Sequence, residues 1–128
     1  MKTKVKKRTW IALLNLLFLF TAVNAQPVRQ YLHEGWSFRQ AGGTNWYEAT
    51  VPGTVHTDLM DNKLIDDPFY RLNERGVQWV DKEDWIYRTT FDVTPELLAK
   101  KNIVLHFEGL DTYADVTLNG KKILSADY

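Results

Sequence analysis

Alternation of apolar and polar residues with a period of two recurs along the chain and predicts β-strands. The clearest strand runs from Trp85 to Val93, where every second residue is aromatic, threonine or valine and would lie on one face of a sheet. The stretches Trp36 to Gln40 and Ile103 to Glu108 alternate in the same way. In the latter, Ile103, Leu105 and Phe107 are expected to face a core.

A hairpin is predicted near the end of the chain. Ala114, Val116 and Leu118 would share the inner face of one strand, and the following Asn119-Gly120 is the strongest two-residue hairpin signal. The return strand is expected to include Ile123. Together these patterns predict five or six strands, antiparallel where hairpins join them and without strand–helix–strand alternation. The fold class is therefore all-β, a β-sandwich.

Helical signals are short and lie between the strands. Thr54 is a suitable N-cap for a helix from Val55 to Asn62. Thr94 followed by Pro95 predicts a single helical turn through Lys100. Both predicted helices are connections rather than a helical layer.

The first 25 residues have the pattern of a signal peptide. Five basic residues precede an apolar run from Trp10 to Val23, and Ala25 lies at a position that a signal peptidase reads, so cleavage before Gln26 is expected. An uncleaved anchor is the alternative, but an apolar run of about 13 residues, broken by Asn15 and Thr21, is shorter than the ~20 that span a bilayer. We therefore expect a signal peptide at 1–25, a domain at 26–128 and an exported protein, periplasmic or secreted.

Composition excludes several classes of function. Residues 26–128 keep 11 of the 16 basic and all 16 acidic residues, which gives a net charge of −5 and no basic face for nucleic acid. The chain has no cysteine, so a disulfide scaffold is excluded and the domain must be held by its core. After cleavage of the signal peptide we expect no membrane association.

Chemistry-bearing residues concentrate in a long predicted loop from Arg71 to Asp84 and at the start of the strand that follows. Long ordered loops are often functional, and aromatic faces beside carboxylates suit a sugar, whose C–H face stacks while its hydroxyls donate hydrogen bonds. The alternative is that the aromatic residues belong to the core or an interface and that the acids are merely solvated. The candidate substrate-binding residues are Trp79, Asp81, Glu83, Asp84 and Trp85.

The acidic residues of this loop do not have the spacing of a catalytic pair. Glycoside hydrolysis needs two carboxyl groups about 5.5 Å or more apart across the scissile bond, usually from distant parts of a chain. The three histidines are isolated, and D-K-E-D from Asp81 to Asp84 lacks the spacing of a calcium loop. We expect no catalytic residue, no metal site and no cofactor in these 128 residues.

Five segments of the chain form a recognisable set: W-S-F from Trp36, V-P-G-T-V-H from Val51, D-P-F-Y-R-L-N-E from Asp67, Q-W-V-D-K-E-D-W-I-Y-R-T-T-F from Gln78 and H-F-E-G-L-D-T-Y-A-D-V-T-L-N-G from His106. They resemble the N-terminal domain of β-mannosidases, which belong to glycoside hydrolase family 2. The resemblance extends over roughly residues 30–128. F-E-G-L-D followed by L-N-G is shared across that family, whereas D-P-F-Y and Q-W-V…D-W-I-Y-R are typical of its β-mannosidase branch.

The resemblance implies a jelly-roll, galactose-binding-like β-sandwich, here incomplete at its C-terminus. In the family, both catalytic glutamates lie in a later (β/α)₈ barrel and act by the retaining mechanism. The implied function is the N-terminal part of an exported β-mannosidase-like enzyme that hydrolyses terminal non-reducing β-D-mannose residues. Its partners would be a β-mannoside oligosaccharide and the missing C-terminal domains. In relatives the equivalent of the loop from Trp79 to Trp85 reaches toward the active-site mouth.

The chain itself is expected to supply scaffold and pocket rim, without activity of its own. Two other interpretations stay open from the sequence. The first is a stand-alone carbohydrate-binding module, and the second is the N-terminal domain of another family-2 enzyme, a β-galactosidase or a β-glucuronidase.

Overall fold

A computed structural model describes residues 27–127, and the predicted signal peptide with its cleavage position lies outside them. The strands are β1 (Ser37–Gln40), β2 (Tyr47–Glu48), β3 (Trp85–Arg88), β4 (Tyr113–Leu118) and β5 (Lys121–Asp127). They form two antiparallel sheets, one of three strands in the order β2-β1-β3 and one that is the hairpin β4-β5. Strands with little helix are consistent with a galactose-binding-like β domain.

The helices are short, as predicted. Helix α1 (Val55–Asp61) begins at Thr54, whose side chain accepts a hydrogen bond from the Thr57 amide, while the Thr57 hydroxyl accepts one from the Thr54 amide. Helix α2 (Pro95–Leu98) begins at Thr94, whose side-chain hydroxyl accepts a hydrogen bond of 3.3 Å from the Leu97 amide. Both N-caps are confirmed, and both helices end slightly earlier than predicted. Two 3₁₀-helices follow α1, Asn73–Gly76 and Val80–Lys82.

The core of the three-stranded sheet is centred on Phe38, which is fully buried. Antiparallel pairing places Phe38 opposite Tyr47 on one side and opposite Tyr87 on the other, so the three rings lie on the same face. Their centroids are 6.0 and 5.5 Å from that of Phe38. The buried apolar residues in the described part of the chain are Phe38, Ala49, Leu59, Val77 and Val80.

A buried carboxylate connects α1 to this sheet. Asp58 is 1% exposed and accepts two hydrogen bonds, from the Thr50 amide at 2.8 Å and from the Tyr87 hydroxyl at 2.7 Å. Burial, followed by this hydrogen bond and the charge of Asp58, raises the pKa of Tyr87 above its ordinary range. Each carboxylate oxygen is therefore satisfied, and Asp58 links the helix, β3 and the segment after β2.

One predicted strand is shorter than expected, and another does not form. The strand expected from Trp85 to Val93 ends at Arg88, because Arg88 pairs with Ser37, the first residue of β1, and among residues 27–127 no ladder partner lies beyond it. Ile103 to Glu108 forms no strand in this structure. Among residues 27–127 it has no neighbouring strand to supply ladder hydrogen bonds, and Ile103 and Leu105, which were expected to face a core, are 53% and 40% exposed.

The predicted hairpin is confirmed. Leu118 pairs with Lys121, and the two residues between them have positive φ angles, 50° at Asn119 and 77° at Gly120. Two left-handed residues form the turn whose twist matches that of the strands, and asparagine and glycine adopt this conformation most readily. No helix within residues 27–127 is long and apolar enough to cross a membrane.

Candidate functional site

The candidate segment is anchored by two buried valines. Val77 is 8% and Val80 is 2% exposed, and the Val80 amide donates to the Val77 carbonyl at 3.0 Å. The Lys82 amide donates to the Trp79 carbonyl at 3.0 Å, which closes the second 3₁₀-turn. Burial of the valines fixes the segment to the core. Trp79, between the two valines in sequence, and Asp81, directly after the second, are exposed.

The two candidate tryptophans have different surroundings. The Trp85 ring lies 5.8 Å from Phe38 between centroids, and its indole Nε1 donates to the Val80 carbonyl at 3.0 Å. Trp79 is 39% exposed and its ring lies 5.9 Å from that of Trp85 at an interplanar angle of 45°. Trp85 thus supports the site from the core, whereas Trp79 presents an aromatic surface to solvent.

The three candidate acids contact different elements. An Asp81 carboxylate oxygen lies 3.7 Å from His56 Nε2 on α1. Glu83 accepts a hydrogen bond of 2.8 Å from Gln40 at the end of β1. Asp84 is exposed and contributes its backbone carbonyl, which accepts a 2.8 Å hydrogen bond from the Ala41 amide. The structure therefore brings together the two tryptophans but distributes the acids along the rim of the segment.

Sequence reasoning did not identify His56 and Gln40 as neighbours of this segment. The Gln40 contact had a usable signal, because pairing β1 with β3 places Gln40 opposite Trp85 and so beside Glu83. The His56 contact depends on how α1 packs, which the chain does not encode in any local pattern. Surface pairs of this kind contribute little to stability.

The arrangement is suited to binding rather than to proton transfer. An exposed indole ring offers a stacking surface, and carboxylates accept hydrogen bonds from hydroxyl groups. Among residues 27–127 no group of three or more histidine or acidic side chains could hold a metal ion. The exposed ring of Trp79 and the carboxylates of Asp81 and Glu83 thus form a polar and aromatic surface, here called the rim.

Comparison with known proteins identifies the class. The family described as glycosyl hydrolase 2 galactose-binding domain-like matches residues 36–128. The chain belongs to this family, and the resemblance seen in its sequence is confirmed.

Its particular relatives are β-mannosidases. β-Mannosidase B of Emericella nidulans is 45% identical over 100 residues, and that of Aspergillus terreus is 40% identical over 103 residues. These alignments cover 75% and 77% of this chain, respectively, and 12% of each relative. The crystal structure of a β-D-mannosidase from Dictyoglomus thermophilum matches with a TM-score of 0.73 at 52% identity, over 75% of this chain and 12% of that one.

The extent of these matches defines what the chain corresponds to. It spans about 12% of the length of the relatives that it matches. The similarity is to the N-terminal domain of β-mannosidases.

Proposed function

We propose that this chain is the N-terminal β domain of a larger β-mannosidase-like glycoside hydrolase that removes terminal β-D-mannose from the non-reducing ends of oligosaccharides. The observation that carries the proposal is the match to the Dictyoglomus thermophilum β-D-mannosidase, with a TM-score of 0.73 and 52% identity. Identity at this level over most of the domain favours a shared role, beyond a shared fold.

In this proposal the domain is scaffold and pocket rim. The exposed ring of Trp79 would stack on a sugar, while Asp81 and Glu83 would accept hydrogen bonds from hydroxyl groups. The catalytic carboxyl pair of a retaining mechanism would come from another part of the larger enzyme. The domain would adopt a complete jelly-roll sandwich, in which further strands pair with the hairpin β4-β5.

The proposal includes export. Residues 1–25 would act as a signal peptide, and the mature enzyme would reach β-mannoside oligosaccharides in the periplasm or the medium. Mass spectrometry of the protein recovered from the exporting host tests this directly. A mature N-terminus at Gln26 supports export, and an intact Met1 in all recovered protein contradicts it.

The activity is tested by sequencing the gene past codon 128, expressing any longer reading frame and assaying its product. Nitrophenyl β-mannoside, β-galactoside and β-glucuronide are compared, with the 128-residue chain as the control. We expect turnover of the mannoside by the longer protein and none by the control. Preferred turnover of the galactoside or the glucuronide would contradict the assignment of the sugar, and a frame that ends at codon 128 would favour a binding module.

A further inference from the structure

An open cleft of about 310 Å³ is lined by Trp79, which it shares with the rim, but not by the rim acids Asp81 and Glu83. It is formed by the turn after α1 and by the first 3₁₀-helix, Asn73–Gly76. The volume is at the lower end of the roughly 300–1,000 Å³ found for small-molecule pockets. Residues important for its chemistry are Lys63, Ile65, Asp66, Asn73, Val77 and Trp79.

The cleft has a mainly polar lining and one aromatic wall. Val77 is buried, and Ile65 is half-buried against the same core cluster. Trp79 is 39% exposed. A ligand with one apolar face could therefore cover the exposed ring of Trp79, while its polar groups meet the polar lining of the cleft.

The polar groups of the cleft are free to bind. Within the part of the chain that the structure describes, the side chains of Lys63 and Asp66 have no hydrogen bond or ion pair. The side-chain nitrogen Nδ2 of Asn73 donates to the backbone carbonyl of Asp67 at 3.0 Å. This bond fixes the side chain and leaves its oxygen Oδ1 available.

Lys63 occupies a backbone position that favours glycine. It follows the C-cap of α1 with a φ of 58°, its amide donates to Met60, and the Leu64 amide donates to Leu59, both at 2.8 Å. These two bonds define a Schellman motif, whose left-handed residue is usually glycine. Lysine is strained in this left-handed conformation, whereas glycine adopts it readily. The lysine at this position places an ammonium group at the cleft.

From these features we infer that the cleft binds a neutral pyranose residue, with Trp79 as the stacking face and Lys63, Asp66 and Asn73 as the hydroxyl partners. One cation and one anion line the cleft, so it has no excess charge for an acidic sugar. The inference rests on the proposed function for the choice of a mannoside, and on the cleft itself for the contacts.

The test is a nuclear magnetic resonance titration of the ¹⁵N-labelled chain with methyl β-D-mannoside. We expect saturable shifts of the Trp79 indole and Gly76 amide signals, with a Kd of roughly millimolar order, as is usual for a single small polar ligand. Methyl β-D-glucuronide should bind no more tightly than the mannoside. Absence of saturable shifts at the cleft, or shifts confined to the Asp81 and Glu83 side, would overturn the inference.

Paired variants separate binding from folding. Lys63→Gly should weaken binding about tenfold or more, because it removes a charged hydrogen-bond donor, while leaving the melting temperature equal or higher. Its control is Asn119→Gly, a second left-handed residue, in the hairpin and away from the cleft. Asp66→Asn is paired with Asp61→Asn, which changes charge on α1 outside the cleft. Unchanged affinity in both cleft variants would refute the assignment.

Sugar binding at the cleft and hydrolysis of β-mannosides by a longer enzyme can fail independently of each other. Hydrolysis of β-mannosides by a longer enzyme, with no sugar binding at the cleft, would overturn only the cleft. Binding at the cleft, with no hydrolysis of β-mannosides by that enzyme, would contradict only the proposed activity.

Discussion

The first part of the domain, residues 36–88, differs sharply from the last part, residues 94–127. The first part contains all five buried apolar residues of the described chain and the carboxylate of Asp58. The last part holds its shape by the ladder of β4 and β5, while Val104 and Tyr113 are more than 80% exposed. Ile123 and Leu124 on β5 are also exposed, at 45% and 39%.

This difference shows which part of the domain carries its own stability. A hairpin alone is marginal in water, whereas three strands with a helix packed over one face form a core. Both candidate binding surfaces, the rim and the cleft, rest on the buried residues Val77 and Val80 of the first part. In the jelly-roll sandwich that we propose, further strands would cover the exposed side chains of the last part.

The largest expected effect is loss of the central ring. Phe38→Ala should lower the free energy of unfolding by about 3–5 kcal/mol, because it leaves a cavity among Tyr47, Trp85 and Tyr87. The matched change in the last part, Ile123→Ala, should cost less than about 1 kcal/mol, since that side chain is already half exposed. Urea denaturation measures the free energy of unfolding of both variants. Equal losses in the two variants would contradict the difference in stability between the two parts.

A smaller loss is expected from the buried carboxylate. Asp58→Ala should destabilise the domain by about 2–3 kcal/mol, because the Thr50 amide and the Tyr87 hydroxyl lose their acceptor in a buried site. In the background of Tyr87→Phe the same substitution should cost less, since one of those donors is absent. A double-mutant cycle with purely additive costs would argue against the link between α1 and β3.

The smallest effect concerns an exposed ion pair in the last part. Lys122 Nζ lies 2.6 Å from Asp115, and its hydrogen bond, followed by that from Ser125, lowers the pKa of the Asp115 carboxyl. Because the folded pKa is depressed, any stabilisation is present above the unfolded value and is lost as the pH falls through the folded one. Asp115→Asn should therefore leave the thermal melting curve of the domain the same as that of the unchanged protein. On acid titration, only the resonances of the hairpin β4-β5 should differ between the two proteins. A shift of the whole melting transition would contradict this.

Local patterns in the sequence predicted those elements that local chemistry determines. The caps at Thr54 and Thr94 and the turn at Asn119-Gly120 depend on neighbouring residues alone, and all three are confirmed. The ladder from Trp85 was predicted too long because its end is set by where β1 begins, a property of the partner strand.

The candidate site was predictable as a segment but less so as a set of contacts. Aromatic and acidic composition indicated the region, yet it did not separate Trp79, which is exposed, from Trp85, which packs on Phe38. The cleft was missed because Lys63, in the turn after α1, and Asn73, on the first 3₁₀-helix, are ten residues apart and no local pattern places them together.

The central claim is that the packed first part supports an exposed ligand surface, and two adjacent tryptophans test it most directly. In the longer enzyme, Trp79→Ala should lower kcat/KM for a β-mannoside by about 10- to 100-fold at an unchanged melting temperature. Trp85→Ala should lower the melting temperature, because its ring and indole N–H belong to the core. Asp81→Ala should follow Trp79→Ala, with a smaller loss. Unchanged kinetics with a lowered melting temperature for Trp79→Ala would contradict the account and make the segment purely structural.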